Sequence, residues 1–477
     1  MTGTTATQPS PPPDQAARDR IVGELDRTLF VQAGAGAGKT RALVDRIVRL
    51  VTTGTAGLEA IAAITFTEKA ATELRDRVRR RLEDELADAV RHEVGERAAR
   101  CRTALADLDS AAIGTLHGFA QRILTEHPVE AGLPPRIEVL DEVASAVAFD
   151  ERWSRFVDRL LEDAAVERAL LHATAAGVRV DHLRLIAQAF NDNWDLVEDH
   201  APAVPVDVAP WDHELAALLD EVDALVAMRD HCVAEDDRFY DQLGRFEVWA
   251  RRVRQAPDDV ARLALLREET GRPRRKAHGR RENWPTCDVG ELKQRYTDLQ
   301  AKLDALRDRI AHQAVRRLAV ELRRFTLDAA AERRDAGELE FHDLLVLARQ
   351  VLRDPTHGPT VRRALHQRYR HLLIDEFQDT DPIQVDLAVL IASPDDVRPG
   401  AQWHEVGTRE GHLFFVGDPK QSIYRFRRAD ISMFLRAAER FGDGGRLVSL
   451  TTNFRTGRSI VELVNRVFGT LMVPQRH

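Results

Sequence analysis

Short apolar runs recur along the chain. Each is followed within three residues by a glycine, hydroxyl or acidic residue, near the start of a segment with helical character. These runs occupy residues 29–31, 60–64, 111–113, 372–374 and 413–416. Strands buried on both faces of a parallel sheet read as continuous apolar runs, and alternation of strands with helices is typical of α/β proteins. The pattern therefore predicts an α/β fold with a parallel sheet, in which ligands bind beside the carboxyl ends of the strands.

The middle of the chain has a different pattern. Residues 136–336 show helical periodicity and contain almost no residue types that suggest chemistry. We therefore predict a large, mostly helical inserted domain at 136–336, which divides the sheet domain into a first part at 14–135 and a second part at 337–446. The opening residues 1–13 are rich in Thr, Ser and Pro and are predicted to form a disordered leader.

Composition narrows the class of protein. Hydrophobic residues make up 44% of the 477 positions, yet no apolar run approaches the roughly 18 residues that a membrane span requires. The leader has neither the basic start nor the apolar core of a signal peptide, so we expect a cytoplasmic protein with no membrane association. Cys101, Cys232 and Cys287 lie far apart without a C-x-x-C pair, which argues against a disulfide framework and a structural zinc site.

Charge alone does not identify a partner. The formal net charge of −8 does not favour binding of a polyanionic partner, but local charged patches determine nucleic-acid binding more than the net charge does. One basic patch consists of Arg272, Arg274, Arg275, Lys276, Arg280 and Arg281. A solvated loop and a phosphate-contacting loop are about equally compatible with it.

The most informative segment follows the first apolar run. It consists of Ala33, Gly34, Ala35, Gly36, Ala37, Gly38, Lys39 and Thr40. A glycine-rich turn between a strand and a helix lets backbone N–H groups face one anion, while Lys39 reaches the outer phosphates and Thr40 holds Mg²⁺. Ala33 replaces the first glycine of the usual G-x-x-x-x-G-K-T pattern. The segment predicts a nucleoside triphosphate site, and a flexible linker would not place Lys and Thr between a strand and a helix.

Two later segments offer groups that would complete such a site. Asp375 and Glu376 end the apolar run at 372–374, where Asp375 suits the Mg²⁺ shell and Glu376 suits polarising the water that attacks the γ-phosphate. Gln421 follows the run at 413–416 and could sense the γ-phosphate. A helix cap is the alternative for the carboxylates, and the presence of a phosphate loop disfavours it.

Aromatic, hydroxyl and basic residues cluster after three of the apolar runs, which suits contacts with single-stranded nucleic acid. They are Thr65, Phe66, Thr67, Lys69, Thr115, His117, Phe119, Tyr424, Phe426 and Arg427, together with Arg425. For Phe66 and Phe119, packing in the core is the alternative.

In chain order, these segments resemble the motifs of the UvrD/Rep/RecB class of superfamily 1 DNA helicases. The matching segments are 33–40, 64–71, 114–119, 374–380 and 450–455. Residues 375–384 and 417–424 are more similar to the RecB/AddA branch, although Arg428 stands where that branch usually has glycine. The resemblance implies that Gln15 contacts adenine and that Arg455 contacts the γ-phosphate.

The resemblance also implies a fold and an activity. The sheet domain would be a RecA-like lobe, and residues 447–477 would open a second RecA-like lobe that is truncated in this chain. The implied activity is ATP-dependent 3′→5′ movement on single-stranded DNA in repair or recombination, with Mg²⁺ as cofactor. Expected partners are single-stranded DNA, duplex junctions, and a second helicase-nuclease subunit or the missing C-terminal part. Turnover by this chain alone is expected to be poor.

Two alternatives come from other functional classes. A non-motor module derived from a helicase would bind nucleotide and DNA as a platform, and truncation favours it while the retained Lys39, Asp375 and Glu376 count against it. An unrelated P-loop enzyme, such as a small-molecule kinase, would need an acceptor site, and the sequence shows none.

Overall fold

The computed structural model describes residues 11–268, 277–394, 397–424 and 429–471. These residues form two compact units. One unit contains the described residues up to Val139 and from Asp335 onward, and the other is Leu140–Arg334. The helical inserted domain was expected at 136–336.

The first unit contains a six-stranded sheet in which every pairing is parallel. The strands among the described residues are β1 (Leu29–Ala33), β2 (Ile61–Thr65), β3 (Ala112–Thr115), β4 (Glu138–Val139), β5 (Glu338–Leu339), β6 (His371–Ile374), β7 (Leu413–Gly417) and β8 (Leu447–Leu450). The sheet order is β3-β2-β6-β7-β1-β8, and β4 pairs separately with β5. The predicted α/β fold with a parallel sheet is confirmed.

Helices account for most of the remaining described residues. In chain order they are α1 (Gln15–Gly23), α2 (Lys39–Thr53), α3 (Glu68–Arg91), α4 (Gly95–Asp107), α5 (Leu116–Glu126), α6 (Glu142–Glu162), α7 (Glu167–Ala176), α8 (Val180–Asn191), α9 (Trp194–His200), α10 (Asp212–Val226), α11 (Arg238–Gln255), α12 (Asp259–Arg267), α13 (Val289–Ala336), α14 (Phe341–Arg353), α15 (Gly358–Arg368), α16 (Pro382–Ala392), α17 (Ile431–Gly442) and α18 (Arg458–Leu471). No helix of the described residues has the length and apolar character that crossing a bilayer requires.

The sheet is buried by helices because its strands are apolar on both faces. β2 and β7 are buried at all five positions, as expected for central parallel strands. One core cluster joins the β1, β2 and β7 residues to apolar side chains of α1, α2, α3 and α4. This burial fixes the sheet, and with it the edge at which the strands end.

A buried arginine ties the first two helices together. Arg46 of α2 is 1% exposed and donates to the backbone carbonyls of Ile21 at 2.8 Å, Glu24 at 3.0 Å and Arg27 at 3.1 Å. Its guanidinium also lies 4.6 Å from the centre of the Phe414 ring. Burial lowers the pKa of Arg46 to about 10, so the group stays charged at neutral pH.

The described residues of the second unit are mostly helical, and two apolar clusters lie among them. The first joins α10, α11, α12 and the first part of α13 around Trp211, Trp249 and Trp284, and the second joins α6, α7, α8 and a later part of α13 around Trp153. The long helix α13 therefore contributes to both cores. These tryptophans are buried packing residues in this unit.

The structure corrects the boundary expected at residue 447. Residues 447–450 form β8, which pairs in parallel with β1 and is the edge strand of the first sheet rather than the opening of another lobe. The reason is that Val448 and Leu450 complete the same core as β1. Of the basic patch, only Arg280 and Arg281 lie within the described residues, and both are exposed.

Candidate nucleotide site and adjoining strand ends

The parallel sheet brings the predicted phosphate-site segments to one edge. The phosphate loop follows β1, the acidic pair follows β6, and the segment with Gln421 follows β7, which lies between those two strands. Parallel strands end at the same edge of a sheet, so residues far apart in sequence meet there. Strands β2 and β3 end at the same edge, further along the sheet.

The phosphate loop has the conformation that its glycines allow. Gly36 and Gly38 have φ of 75° and 86°, in the left-handed region that favours glycine. The N–H of Ala37 donates to the Gly34 carbonyl at 3.0 Å and closes the turn. Lys39 is the first residue of α2, so the positive end of the helix dipole is at the loop. Ala33 ends β1, Ala35 lies within the loop, and Thr40 is the second residue of α2.

The central contact of the site joins the phosphate loop to the acidic pair. Lys39 Nζ lies 2.7 Å from Glu376 Oε2, across 337 positions of sequence. The lysine side chain is 11% exposed and the glutamate side chain is 36% exposed. Glu376 has φ of 49°, an uncommon backbone conformation for a residue with a side chain. The two sequence segments predicted to share one ligand therefore lie in direct contact.

Asp375 lies at the end of β6, where its N–H donates to the Ile64 carbonyl of β2 at 2.9 Å. Burial, and next the negative charge of Glu376, raise the pKa of Asp375 to about 6. A carboxylate whose charge is costly to bury favours a bound cation, and carboxylate and hydroxyl oxygens are the hard donors that Mg²⁺ prefers. The chemistry of Asp375 and of Thr40 therefore fits Mg²⁺.

A glutamine for which the sequence predicted no role connects the ends of β6 and β7. The Gln378 side-chain amide donates to Glu376 at 2.8 Å, and its oxygen accepts from the Asp418 N–H at 2.8 Å. Gln421 lies in a short turn of helix at Pro419–Gln421 and donates to the Asp418 carboxylate at 2.6 Å. Gln421 and Glu376 are thus linked through Asp418 and Gln378.

The segment after β8 packs directly on the phosphate loop. Asn453 Nδ2 donates to the Ala35 carbonyl at 3.0 Å, and the N–H of Phe454 donates to the Gly36 carbonyl at 2.9 Å. A Cβ atom added to Gly36 would lie 2.9 Å from Cβ of Arg455, so Arg455 sits beside the loop with an exposed side chain. The position is compatible with the γ-phosphate contact predicted for Arg455.

A cavity of about 440 Å³ opens beside the loop. Its lining includes Gln15 and Arg18 of α1, Gly38 of the loop, Arg41 of α2 and Phe454. Phe454 is 62% exposed, and Gln15 donates to Asp19 at 2.7 Å. Of these lining residues outside the loop, only Gln15 was expected from the sequence; Arg18, Arg41 and Phe454 were not.

Two of the candidate DNA-binding residues form an aromatic pair. The Phe66 and Tyr424 ring centroids are 4.8 Å apart, although the two residues belong to segments after β2 and β7. Lys69 is exposed on the first turn of α3. Thr67 caps α3 by accepting from the Ala70 N–H at 3.1 Å. Arg425, Phe426, Arg427 and Arg428 lie outside the described residues.

The candidates near β3 have mainly structural contacts. Thr115 caps α5, accepting from the Gly118 N–H at 3.2 Å, and donates to Glu68 at 2.6 Å. Thr65 is buried and donates to the Thr67 carbonyl at 3.1 Å. His117 is partly exposed, with its ring 5.8 Å from that of Phe341, itself 58% exposed.

The structure corrects one of the aromatic predictions. Phe119 is only 5% exposed, and its ring packs edge-on against Tyr369 with centroids 5.0 Å apart. A buried ring has no face to offer a base, so the packing alternative applies to Phe119. An aromatic at the start of a helix has the same sequence signal in either role, and only the partner across the fold decides.

A parallel sheet whose strand ends join a phosphate loop to an acidic pair defines a nucleotide-binding α/β domain. The family model of the UvrD/REP helicase N-terminal domain matches residues 15–442, and the chain belongs to this family. Similar relatives are proteins named as a subunit of an ATP-dependent helicase/nuclease, from Ligilactobacillus salivarius, Geobacillus kaustophilus and Staphylococcus aureus. They are 26%, 28% and 25% identical and cover 96%, 94% and 95% of this chain. The chain spans 38–39% of their length.

Proposed function

We propose that this chain binds ATP with Mg²⁺ at the β1 and β6 strand ends and hydrolyses it as part of an ATP-dependent DNA helicase or translocase. The observation that carries the proposal is the 2.7 Å contact between Lys39 and Glu376. It brings a phosphate-binding cation and a carboxylate of the kind that activates water within reach of one ligand.

Each side chain has a distinct part in this proposal. Lys39 leaves Glu376 and pairs with the outer phosphates, because they carry more negative charge than one carboxylate. Glu376, released from that pair, accepts a hydrogen bond from the attacking water and takes its proton as the water oxygen bonds to the γ-phosphorus. The bond from that phosphorus to the bridging oxygen breaks in the same step, so ADP leaves with the bridging oxygen. Asp375 and Thr40 would hold Mg²⁺, which when bound neutralises charge on the phosphate oxygens. Arg455 would add a second cation beside the loop.

The 440 Å³ cavity is the proposed place for the base of the nucleotide. Its position beside Gly38 joins it to the phosphate loop, and the exposed Phe454 ring offers an apolar face to a heterocycle. Gln15 could recognise the base through its side-chain amide, which both donates and accepts hydrogen bonds.

Single-stranded DNA is the proposed polymer substrate. The Phe66 and Tyr424 pair provides an aromatic platform, and Lys69 and His117 provide polar groups near the same strand ends. Tyr424 lies three residues from Gln421, so a change at the phosphate site could be transmitted to the platform. Movement in the 3′→5′ direction, action at duplex junctions and a role in repair or recombination belong to the same proposal. The relatives are named as one component of a helicase/nuclease, which also supports a partner protein.

Steady-state ATP hydrolysis with and without single-stranded DNA tests the proposal. We expect Mg²⁺-dependent ATP binding that Lys39→Ala abolishes while DNA binding survives. Hydrolysis stimulated by DNA supports the motor, and binding of both ligands without hydrolysis supports the non-motor module. Unchanged nucleotide binding in Lys39→Ala would overturn the phosphate-site assignment.

A further inference from the structure

One buried carboxylate, paired with the cavity-lining Arg18, accepts five hydrogen bonds. Asp14, just before α1, is 7% exposed. It accepts hydrogen bonds from Arg18 at 2.9 and 3.1 Å, from the N–H groups of Thr451 and Thr452 at 2.8 and 3.0 Å, and from Thr452 Oγ1 at 2.8 Å. The donors on Thr451 and Thr452 are backbone groups or a short side chain, which have little freedom to move. The carboxylate therefore fixes the position of residues 451–452 relative to α1.

The arginine of this pair has two further contacts, both at the nucleotide site. Arg18 Nη2 donates to the Ala37 carbonyl of the phosphate loop at 3.0 Å. Its guanidinium carbon lies 4.9 Å from the centre of the Phe454 ring, within the range of a cation–π interaction. The Asp14–Arg18 pair therefore contacts α1, the phosphate loop and the 451–454 segment, three walls of one cavity.

We propose that Asp14 is a positioning residue for the nucleobase, and this inference rests on the nucleotide site proposed above. By holding residues 451–452, Asp14 sets the place of Phe454 over the cavity. A purine base then stacks on the ring while the phosphates occupy the loop. Asp14 itself does not touch the nucleotide. Loss of Asp14 would leave Lys39 and the glycines of the phosphate loop in place, so it should weaken the contribution of the base more than that of the phosphates.

The ionisation of Asp14 is consistent with this geometry. Burial alone would raise the pKa of Asp14, but the hydrogen bonds from Arg18, Thr452 and Thr451 outweigh it and hold the pKa well below its usual range. The carboxylate thus remains an acceptor for all of its donors at neutral pH. An amide in its place would turn an N–H group toward either Arg18 or the backbone N–H groups, so Asp14→Asn disrupts the contact without changing the volume.

Comparison of ATP with inorganic tripolyphosphate separates positioning of the base from general stability. Both ligands fill the phosphate loop, and only ATP has a base. We expect Asp14→Asn to weaken Mg-ATP binding roughly five- to 100-fold, the range expected when stacking of one base is lost. Tripolyphosphate, measured by competition with a fluorescent ATP analogue, should change less than about twofold. Phe454→Ala, which removes the exposed ring directly, should reproduce this selectivity.

Two further variants keep the result interpretable. Thr452→Val removes one bond to Asp14 and should give a smaller loss with the same selectivity. Thr28→Val is the stability control, because Thr28 is 3% exposed and accepts from the Gly411 N–H at 3.2 Å near the opposite strand ends. It should lower the melting temperature and leave the ratio of ATP to tripolyphosphate affinity unchanged.

The outcomes distinguish this inference from the proposed function. Equal weakening of both ligands by Asp14→Asn, or no weakening, would overturn the positioning role while leaving the nucleotide site intact. Failure of the unaltered chain to bind either ligand would instead overturn the proposed function, and the positioning role with it.

Discussion

Replacing Glu376 with Gln tests the central contact of the site, because it should change binding and hydrolysis in opposite directions. In the structure Glu376 Oε2 forms an ion pair with Lys39 Nζ at 2.7 Å, so a phosphate that binds must compete with Glu376 for that lysine. Glutamine has nearly the same volume and its oxygen can still accept from the Gln378 amide, which now donates to Glu376 at 2.8 Å. The substitution therefore removes the ion pair and leaves the neighbouring contacts.

The magnitude follows from how exposed the pair is. Lys39 is 11% exposed and Glu376 is 36% exposed, so the pair is screened on one side and falls near the upper end of exposed ion pairs, about 1 kcal/mol. Release of that competition tightens ATP binding by about fivefold. The loss of the group that accepts the proton of the attacking water lowers turnover by roughly 10²- to 10⁴-fold.

The assay pairs two measurements on each protein. Titration with a fluorescent ATP analogue in the presence of Mg²⁺ gives affinity, and phosphate release with saturating single-stranded DNA gives turnover. Glu410→Gln is the matched control, because Glu410 pairs with Arg446 at 3.0 Å near the opposite strand ends. It should leave both quantities unchanged. Weaker or unaltered ATP binding by Glu376→Gln would refute the idea that Glu376 competes with the phosphates for Lys39.

Two further predictions concern backbone space and protonation. Gly36→Ala should abolish nucleotide binding and lower the melting temperature, since Gly36 has φ of 75° and an added Cβ would lie 2.6 Å from the Asn453 side-chain oxygen. Gly34→Ala is the control and should do neither, because nothing lies within 4 Å of its added Cβ. Equal effects of the two substitutions would contradict the role given to the backbone conformation and close packing of Gly36. Burial lowers the pKa of His371 to about 4 and the pKa of His412 to about 3. Below about pH 6.5 these two histidines become protonated in the unfolded chain but stay neutral in the folded one. The free energy of unfolding should therefore fall by a few kcal/mol between about pH 6.5 and 4, on the order of 1 kcal/mol for each unit by which a histidine pKa is lowered. Urea denaturation at about pH 7.5 and about pH 5 measures this loss, and equal stability at the two values would count against it.

The fold was predictable where burial makes the sequence unambiguous. Central strands such as β2 and β7 are apolar at nearly every position, so their runs identify them without knowledge of partners. The edge strand β8 alternates instead, with Leu447 exposed at 42% and Val448 buried at 2%. Such a pattern is compatible with any half-covered sheet, and the family resemblance assigned it to a second lobe. Its pairing with β1 shows where it belongs.

The site was predictable to the extent that its chemistry lies in local motifs. Lys39 and Glu376 follow separate apolar runs, and the parallel order of the strands explains why they meet. Asp14 had no such signal, because its partners Thr451 and Thr452 lie 437 and 438 positions away and their backbone groups donate two of the bonds. A contact made through main-chain N–H groups leaves no residue type to recognise in the sequence.

Arg46 determines how much of this chain a recombinant fragment must retain. Its guanidinium belongs to the helix that follows the phosphate loop, yet its bonds go to the turn between Ile21 and Arg27. A fragment that starts at β1 would leave a cation in the apolar interior without those carbonyl oxygens, a change that costs several kcal/mol. Lysine has no planar fork to reach them all. Deletion series for crystallisation or biophysics should therefore keep α1, which begins at Gln15, together with the residues that join it to β1.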